Sequence, residues 1–539
     1  MPHPFLRRFL TADALLRLLV LLIFVAFLQT VFFGFVYDDF PQITTNAWLV
    51  SAAGLKAIFT HHSWGFDPGF PARHYRPVFL VWLWLVRNVF GPAPGFFHLA
   101  AVLNHVLASL LAFVLCRELL DGNGRLAALV AMIFALHPSK VESVAWISAA
   151  PESLNAIFLF ASMYAYIRGR KDPHAAWKWL TLSSVSFAAA LLTKETAVIL
   201  PALLLAWEIL IFRAEKRESW KLSFACVAPL LTIMAVVVVV RSHILNGVGD
   251  QAASESIATT LYNAPLACWL WIRQLFLPFH LSTLYPLALV QTPSLRWFVL
   301  PAIGLLLLIV AYWKWAKSDP VLKFAGAWLV LTALPVIGEF TWVQLHDRHL
   351  YLPLFAFALM LVIAAQQLLR RAPDAQQSVA ILCVSLALVF TAISADETRV
   401  WDSQITVFER AVQVAPENTE AIDLLASGYI SIGQYPKAEA ILRSGLQRVP
   451  KSARLKIALG SYLDRAGRTD EAQPYLRSAL AMELPNNRRS DVLFQLSIID
   501  WNNFQRARAK EELREAIRLQ PDLAPYKMLL ARYDREQPN

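Results

Sequence analysis

Charge is what this chain has least of. Only 16% of its 539 residues are Asp, Glu, Lys or Arg, against roughly a quarter in an ordinary soluble domain. With 57% hydrophobic residues, the chain has too little polar surface to close a large core in water. That excludes an ordinary soluble globule and predicts a protein that crosses a membrane many times. Cysteine is also scarce: Cys116, Cys226, Cys268 and Cys383 all sit in apolar stretches. They form no CxxC or metal-ligand spacing, so they read as small packing residues and exclude a thiolate metal centre. No glycine-rich nucleotide-binding loop is apparent. The net charge of +10 does not mark a nucleic-acid binder, because the basic residues cluster in short loops between apolar runs, as cytoplasmic loops do.

What is abundant is membrane-length apolar sequence. A spanning helix needs roughly 20 apolar residues. About eleven ranges approach that standard: 15–36, 97–116, 126–140, 152–168, 177–192, 196–212, 221–241, 297–313, 321–338, 350–369 and 377–394. The first follows Arg7, Arg8 and Arg17, is too long for a signal-peptide core and lacks a small-residue cleavage site. It reads as an uncleaved anchor with a cytoplasmic N-terminus. Loops carrying Arg117/Arg125, Arg168/Arg170/Lys171, Arg213/Lys216/Arg217, Lys314/Lys317 and Arg370/Arg371 are then all cytoplasmic, provided 264–290 is re-entrant or interfacial. The acids Asp38, Asp39, Glu142, Glu152, Glu195, Glu339 and Asp347 gather on the outer side. The outer loop 37–96 is rich in aromatics (Trp48, Trp64, Phe66, Phe70, Trp82, Trp84), and its apolar part 76–90 is too short to span and predicts an interfacial helix.

From about Trp401 the composition becomes charged and amphipathic, and a repeat appears. Leu425, Ala426, Tyr429, Gly433, Ala438, Leu442 and Gly445 recur 34 residues later as Leu459, Gly460, Leu463, Gly467, Ala472, Leu476 and Ala479. A third copy shows Leu496, Ala509, Leu513, Ala516 and Pro521. Small residues where paired helices touch, large ones between them and a 34-residue period are the tetratricopeptide pattern. The expected architecture is all-α: a polytopic membrane domain over 1–396, then a tetratricopeptide α-solenoid over 397–539. Its half-repeat covers 401–418 and its repeats about 419–452, 453–486 and 490–523.

Several outer-side segments could carry chemistry. Asp38-Asp39 follows the first apolar run directly, where a carboxylate is costly unless it serves a function. Adjacent side chains point differently, so one of the two faces a site and the other holds water, backbone donors or a cation. A carboxylate there could act as general base on a hydroxyl; the plainer alternative is a charge marking the membrane boundary. Arg76, in His74-Tyr75-Arg76-Pro77, either holds a phosphate or snorkels. In His137-Pro138-Ser139-Lys140-Val141-Glu142, the proline ends the third span. His137, Glu142 and Glu152 lack a fixed ligand spacing, so a local polar network is preferred and a divalent metal stays open. Lys194-Glu195 reads as an ion-paired outer turn or as a cation near a phosphate. His346-Asp347-Arg348-His349-Leu350-Tyr351 suits a lipid phosphate whose tail stays in the bilayer, or belt anchoring.

In that order (Tyr-Asp-Asp, Tyr-Arg-Pro, His-Pro followed by Val-Glu-Ser-Val-Ala-Trp, Lys-Glu, Arg-His-Leu-Tyr-Leu-Pro, then the repeats) the chain resembles the transmembrane and tetratricopeptide repeat-containing O-mannosyltransferases and their bacterial relatives. The resemblance implies a GT-C-type membrane fold. It also implies inverting transfer of a hexose, mannose in that family, from a polyprenyl-phosphate sugar to a hydroxyl of a protein or glycan outside the cytoplasm. By resemblance the catalytic carboxylate is Asp38 or Asp39, and Arg348, with Arg76 and Lys194, holds the donor phosphate. Tyr37, His137, Glu142, Glu195, His346, Asp347 and Tyr351 form the supporting set. A phosphate is already a good leaving group, so one base and cationic stabilisation suffice. The implied setting is the bacterial inner membrane, or the endoplasmic reticulum in a eukaryote, with the repeats extracytoplasmic and presenting an acceptor or partner. Two rival readings are a lipid-linked sugar transporter and a non-catalytic scaffold working through its repeats.

Overall fold

A computed structural model of the chain describes residues 11–67, 74–212, 220–245, 257–285, 292–339, 346–371 and 374–536. Arg7, Arg8, Phe70, Arg213, Lys216, Arg217 and the end of 264–290 lie outside the described residues. Among those described there is helix and no strand. The chain divides into two compact units, the first reaching Thr406 and the second running from Val407.

Each apolar range of the sequence becomes helix in the first unit. Among the described residues six helical stretches are long and apolar enough to cross a membrane: Ala12–Phe32, Pro94–Leu119, Glu195–Phe212, Lys221–Ile244, Leu295–Ala316 and Ala375–Trp401. A seventh is added if Gly124–Leu136 and Pro138–Ala145, bent by 61° at their junction, count as one. The bend is where Pro138 removes a backbone donor and interrupts the ladder. The remaining ranges of the expected set of about eleven fall short for two reasons. Pro320–Pro335 and Pro353–Leu369 are apolar but short. Pro151–Lys171 and Ala176–Thr193 are long enough but more polar, and in Pro151–Lys171 the polar residues are mostly buried within the protein.

Gly124–Leu136 forms the centre. Every side chain from Leu126 to Leu136 is buried, as a helix apolar on all sides requires. It packs against Ala12–Phe27, Pro94–Leu119, Pro353–Leu369 and Ala375–Thr398. Its C-terminal end passes straight into the His137–Glu142 segment, so that segment is held by the best-packed part of the unit. Pro151–Lys171 lies on Ala176–Thr193, where Ser162 donates to the Ser183 carbonyl at 2.7 Å and a side chain at Gly169 would meet Trp179 at 3.1 Å. Glu152 opens this helix and Arg168, Arg170 and Lys171 close it, about 30 Å apart at 1.5 Å per residue. The basic cluster and the acids therefore sit at opposite ends of one helix. The expected interfacial segment is the helix Pro77–Phe90, only 14 residues long. The segment 264–290 starts inside the helix Ile257–Phe276, which contains Pro265, and continues as irregular chain to 285.

The second unit is a run of helical hairpins: Thr419–Ser431 with Tyr435–Arg448, Ala453–Arg465 with Thr469–Leu480, and Asn486–Asn502 with Arg506–Leu519, followed by Ala524–Arg535. The recurrent alanines Ala438, Ala472 and Ala509 are fully buried. A side chain at Gly460 would meet Leu476 at 2.7 Å, which explains the small residue there. The turns inside the first two hairpins use Gly433 and Gly467, each at φ 75°. The third uses Phe504 at φ 61°. The unit begins beyond the expected 397, at Val407; Trp401 still belongs to the first unit, where it stacks on Trp146, centroids 5.7 Å apart.

Candidate functional site

After the first helix the chain reverses at Tyr37, whose φ of 49° is left-handed and sends the next two side chains in different directions. Asp39 turns inward and is fully buried. One of its oxygens accepts from the Ser148 N–H at 2.8 Å and the Ser148 hydroxyl at 2.6 Å. The other accepts from the Val36 N–H at 3.2 Å. Asp38 turns the other way. It is half-exposed, and its carboxylate takes no hydrogen bond among the described residues. Surrounding protein pushes the Asp38 pKa up to about 6, against the opposing pull of the Arg348 charge. Burial raises Asp39 to about 7, with the Ser148 and Val36 donors pulling the other way.

Arg348 sits on the short 3-10 turn Asp347–Leu350. Its guanidinium lies 5.0 Å from the centre of the Trp146 ring, and Trp146 is sandwiched between Tyr37 at 5.8 Å and Trp401 at 5.7 Å. Glu142 clamps the same residue twice, accepting from Arg348 Nη1 at 2.5 Å and from its backbone N–H at 3.0 Å. His346 lies 3.4 Å from Glu142. Burial, and then the Arg348 charge, hold the imidazoles of His346 and His349 below the usual range. On His349 the charges of Lys194 and Arg76 act as well. The charges of all three cations expected at a phosphate are thus felt at His349.

Each cation arrives with a carboxylate. Lys194 is ion-paired with Glu152. Glu195 receives Arg76 through Nε at 3.0 Å and Nη2 at 2.7 Å, His74 at 3.0 Å, and Arg241 at 3.4 Å. Such a forked guanidinium–carboxylate pair fixes both partners in orientation.

Two expected site residues point elsewhere. His137 donates to the Leu275 carbonyl at 3.0 Å and packs edge-on against Phe390 at 4.8 Å, so it fastens the proline bend. The Tyr351 hydroxyl meets His105 at 2.7 Å in the interior. Its carbonyl accepts from Lys140 at 2.5 Å, and Lys140 is held between the Phe134 and Tyr351 rings at 3.7 and 3.6 Å. Asp347 is buried within the 3-10 turn. Among the described residues no three His, Cys, Asp or Glu side chains gather as a metal site. Ser148, Trp401 and Arg241 escaped the sequence reading. Arg241 had left a signal: a cation at the end of span 221–241 opposite the basic loop 213–217 breaks the positive-inside pattern.

Residues 74–243 match the family described as dolichyl-phosphate-mannose-protein mannosyltransferase, a stretch holding Arg76, Glu142, Lys194, Glu195 and Arg241. The chain is 21% identical to protein O-mannosyl-transferase TMTC3 of Homo sapiens over 94% of its own length and 60% of that protein's. It is 20% identical to protein O-mannosyl-transferase F38B6.6 of Caenorhabditis elegans over 75% of this chain and 58% of that protein. The chain is thus similar to protein O-mannosyl-transferases over most of its length. A shorter match, to protein O-mannosyl-transferase Tmtc1 of Drosophila melanogaster, reaches 32% identity over 33% of the chain and 20% of that protein. The chain spans about three-fifths of the length of the first of these relatives, 60% for TMTC3.

Proposed function

We propose that the chain is an inverting glycosyltransferase. It moves mannose from a polyprenyl-phosphate donor to a hydroxyl of a protein or glycan on the extracytoplasmic side. The observation that carries the reading is the division of labour between neighbouring acids. Asp39 is saturated with hydrogen bonds, while Asp38 is half-buried, its carboxylate unbonded among the described residues and under the charge of Arg348. Asp38 takes the proton of the acceptor hydroxyl as its oxygen attacks the anomeric carbon. The bond from that carbon to the phosphate oxygen breaks on the opposite side, and the electron pair leaves with the polyprenyl phosphate. The cations Arg348, Lys194 and Arg76 stabilise that charge through pre-oriented donors. Trp146, Tyr37 and Trp401 supply an aromatic wall of the kind on which sugar faces stack, and the helical repeats of the second unit present the acceptor. In the test, purified protein is given polyprenyl-phosphate mannose and a Ser/Thr-containing acceptor peptide, and the product is analysed for anomeric configuration. A mannosylated product of inverted configuration is expected. Absence of transfer from this donor, or retention of configuration, refutes the proposal.

A further inference from the structure

The charges at the site are unevenly distributed. Arg348 is in direct contact with Glu142 and acts on Asp38 at longer range. Lys194 pairs with Glu152, and Arg76 and Arg241 both pair with Glu195. Both oxygens of Glu195 are already engaged by Arg76 at hydrogen-bond distance. Arg241 approaches the same carboxylate only to 3.4 Å, and among the described residues its guanidinium donates no hydrogen bond. It is nevertheless held in place by the helix Trp220–Ile244, with its side chain 24% exposed. A guanidinium with unspent donors beside a saturated carboxylate attracts a further anion, and the fork geometry suits two oxygens of one phosphate.

We propose that Arg241, beside Arg76 and His74 on Glu195, completes the phosphate subsite of this protein. This rests on the glycosyltransferase reading and deepens it. Asp38 then receives the hydroxyl proton, while Arg241 joins the cations that receive the departing phosphate. The ligand chemistry is a phosphate monoester or diester, from a lipid headgroup or from free phosphate. Glu195 acts as a positioning residue, holding the two guanidiniums apart at a fixed spacing.

The experiment uses the full-length protein in detergent or nanodiscs. Wild type, Arg241→Gln and Arg241→Lys are compared for binding of farnesyl phosphate, for competition by inorganic phosphate, and for kcat and KM with polyprenyl-phosphate mannose. Arg241→Gln is expected to weaken farnesyl phosphate binding and raise the donor KM by about tenfold or more. Arg241→Lys should recover part of both, and the acceptor KM should not move. Thermal midpoints equal to that of wild type show that the variants fold. Farnesyl phosphate binding unchanged in Arg241→Gln overturns the proposal, as does a fall in kcat alone. Arg241-dependent competition by inorganic phosphate as strong as that by farnesyl phosphate supports a free-anion subsite, and much weaker competition supports a lipid phosphate. If wild type binds farnesyl phosphate through Arg241 yet transfers no sugar, the glycosyltransferase reading fails and the subsite stands.

Discussion

Replacing Asp38 by Asn removes one charge from a side chain that accepts no hydrogen bond among the described residues. Size and shape are kept, and no donor is left unpaired, so the stability change should stay within about 0.5 kcal/mol. The effect on catalysis should be far larger, because loss of a general base costs typically ~10²–10⁴-fold. The wild-type pH profile carries a second number. The surrounding protein sets Asp38 at about 6, with Arg348 holding it down. A base must be ionised to work, so kcat/KM should fall about tenfold for each pH unit below that value and level off above it. In Arg348→Gln the opposing charge is gone, so the acid limb should move to higher pH. That variant also leaves Glu142 buried without its cation, a costly state, so the limb is read only on protein shown to be folded. The assay is steady-state transfer from polyprenyl-phosphate mannose by purified protein in nanodiscs across the acid range, with thermal midpoints in parallel. The reasoning is refuted if Asp38→Asn keeps most of the wild-type rate with the same acid limb. It is equally refuted if the lost activity comes with a large drop in midpoint.

Asp39→Asn should behave in the opposite way. An amide cannot accept from both the Ser148 and Val36 sides, so at least one buried donor is orphaned at ~1–3 kcal/mol, read as a lower thermal midpoint. Asp39 is raised from 3.8 to about 7 in the folded protein, so folding binds a proton between those values. Its stabilising contribution is complete below the lower value and is lost as pH rises through the upper one. The stability difference between wild type and Asp39→Asn should therefore shrink as pH rises over that window, and a constant difference would refute the assignment. In the repeat unit Asp500 is fully buried and accepts from Arg477 at 2.6 Å. Arg477→Ala should cost about 2–4 kcal/mol, measured as lost hydrogen-exchange protection in the helices Thr469–Leu480 and Asn486–Asn502. Phe504 occupies a left-handed turn position while its ring is 81% exposed. Phe504→Gly should relieve that strain and stabilise the unit by about 1 kcal/mol, and a loss of stability would contradict this.

The sequence by itself determined the class of this protein and named the residues of a candidate site. Hydropathy does this because a bilayer tests length and polarity one segment at a time, so Ala12–Phe32 and Lys221–Ile244 announce themselves without any knowledge of their neighbours. The hairpin series is legible for the same reason: each repeat is a local unit, and Gly433 and Gly467 mark its turns. The outer cations Arg76, Lys194 and Arg348 could be named from motif order. The tertiary structure decided what single segments cannot carry. Periodicity could not choose between Asp38 and Asp39; the choice depends on Ser148, more than a hundred residues away, capturing one carboxylate and leaving the other open. Hydropathy also cannot tell a helix such as Pro151–Lys171, whose polar groups are buried within the protein, from one that faces lipid. His137 and Tyr351, which look equally polar in the sequence, are spent on packing the proline bend. Arg241 becomes meaningful only when a third helix end brings it to Glu195, because net charge at a site is a sum over residues that only the fold brings together.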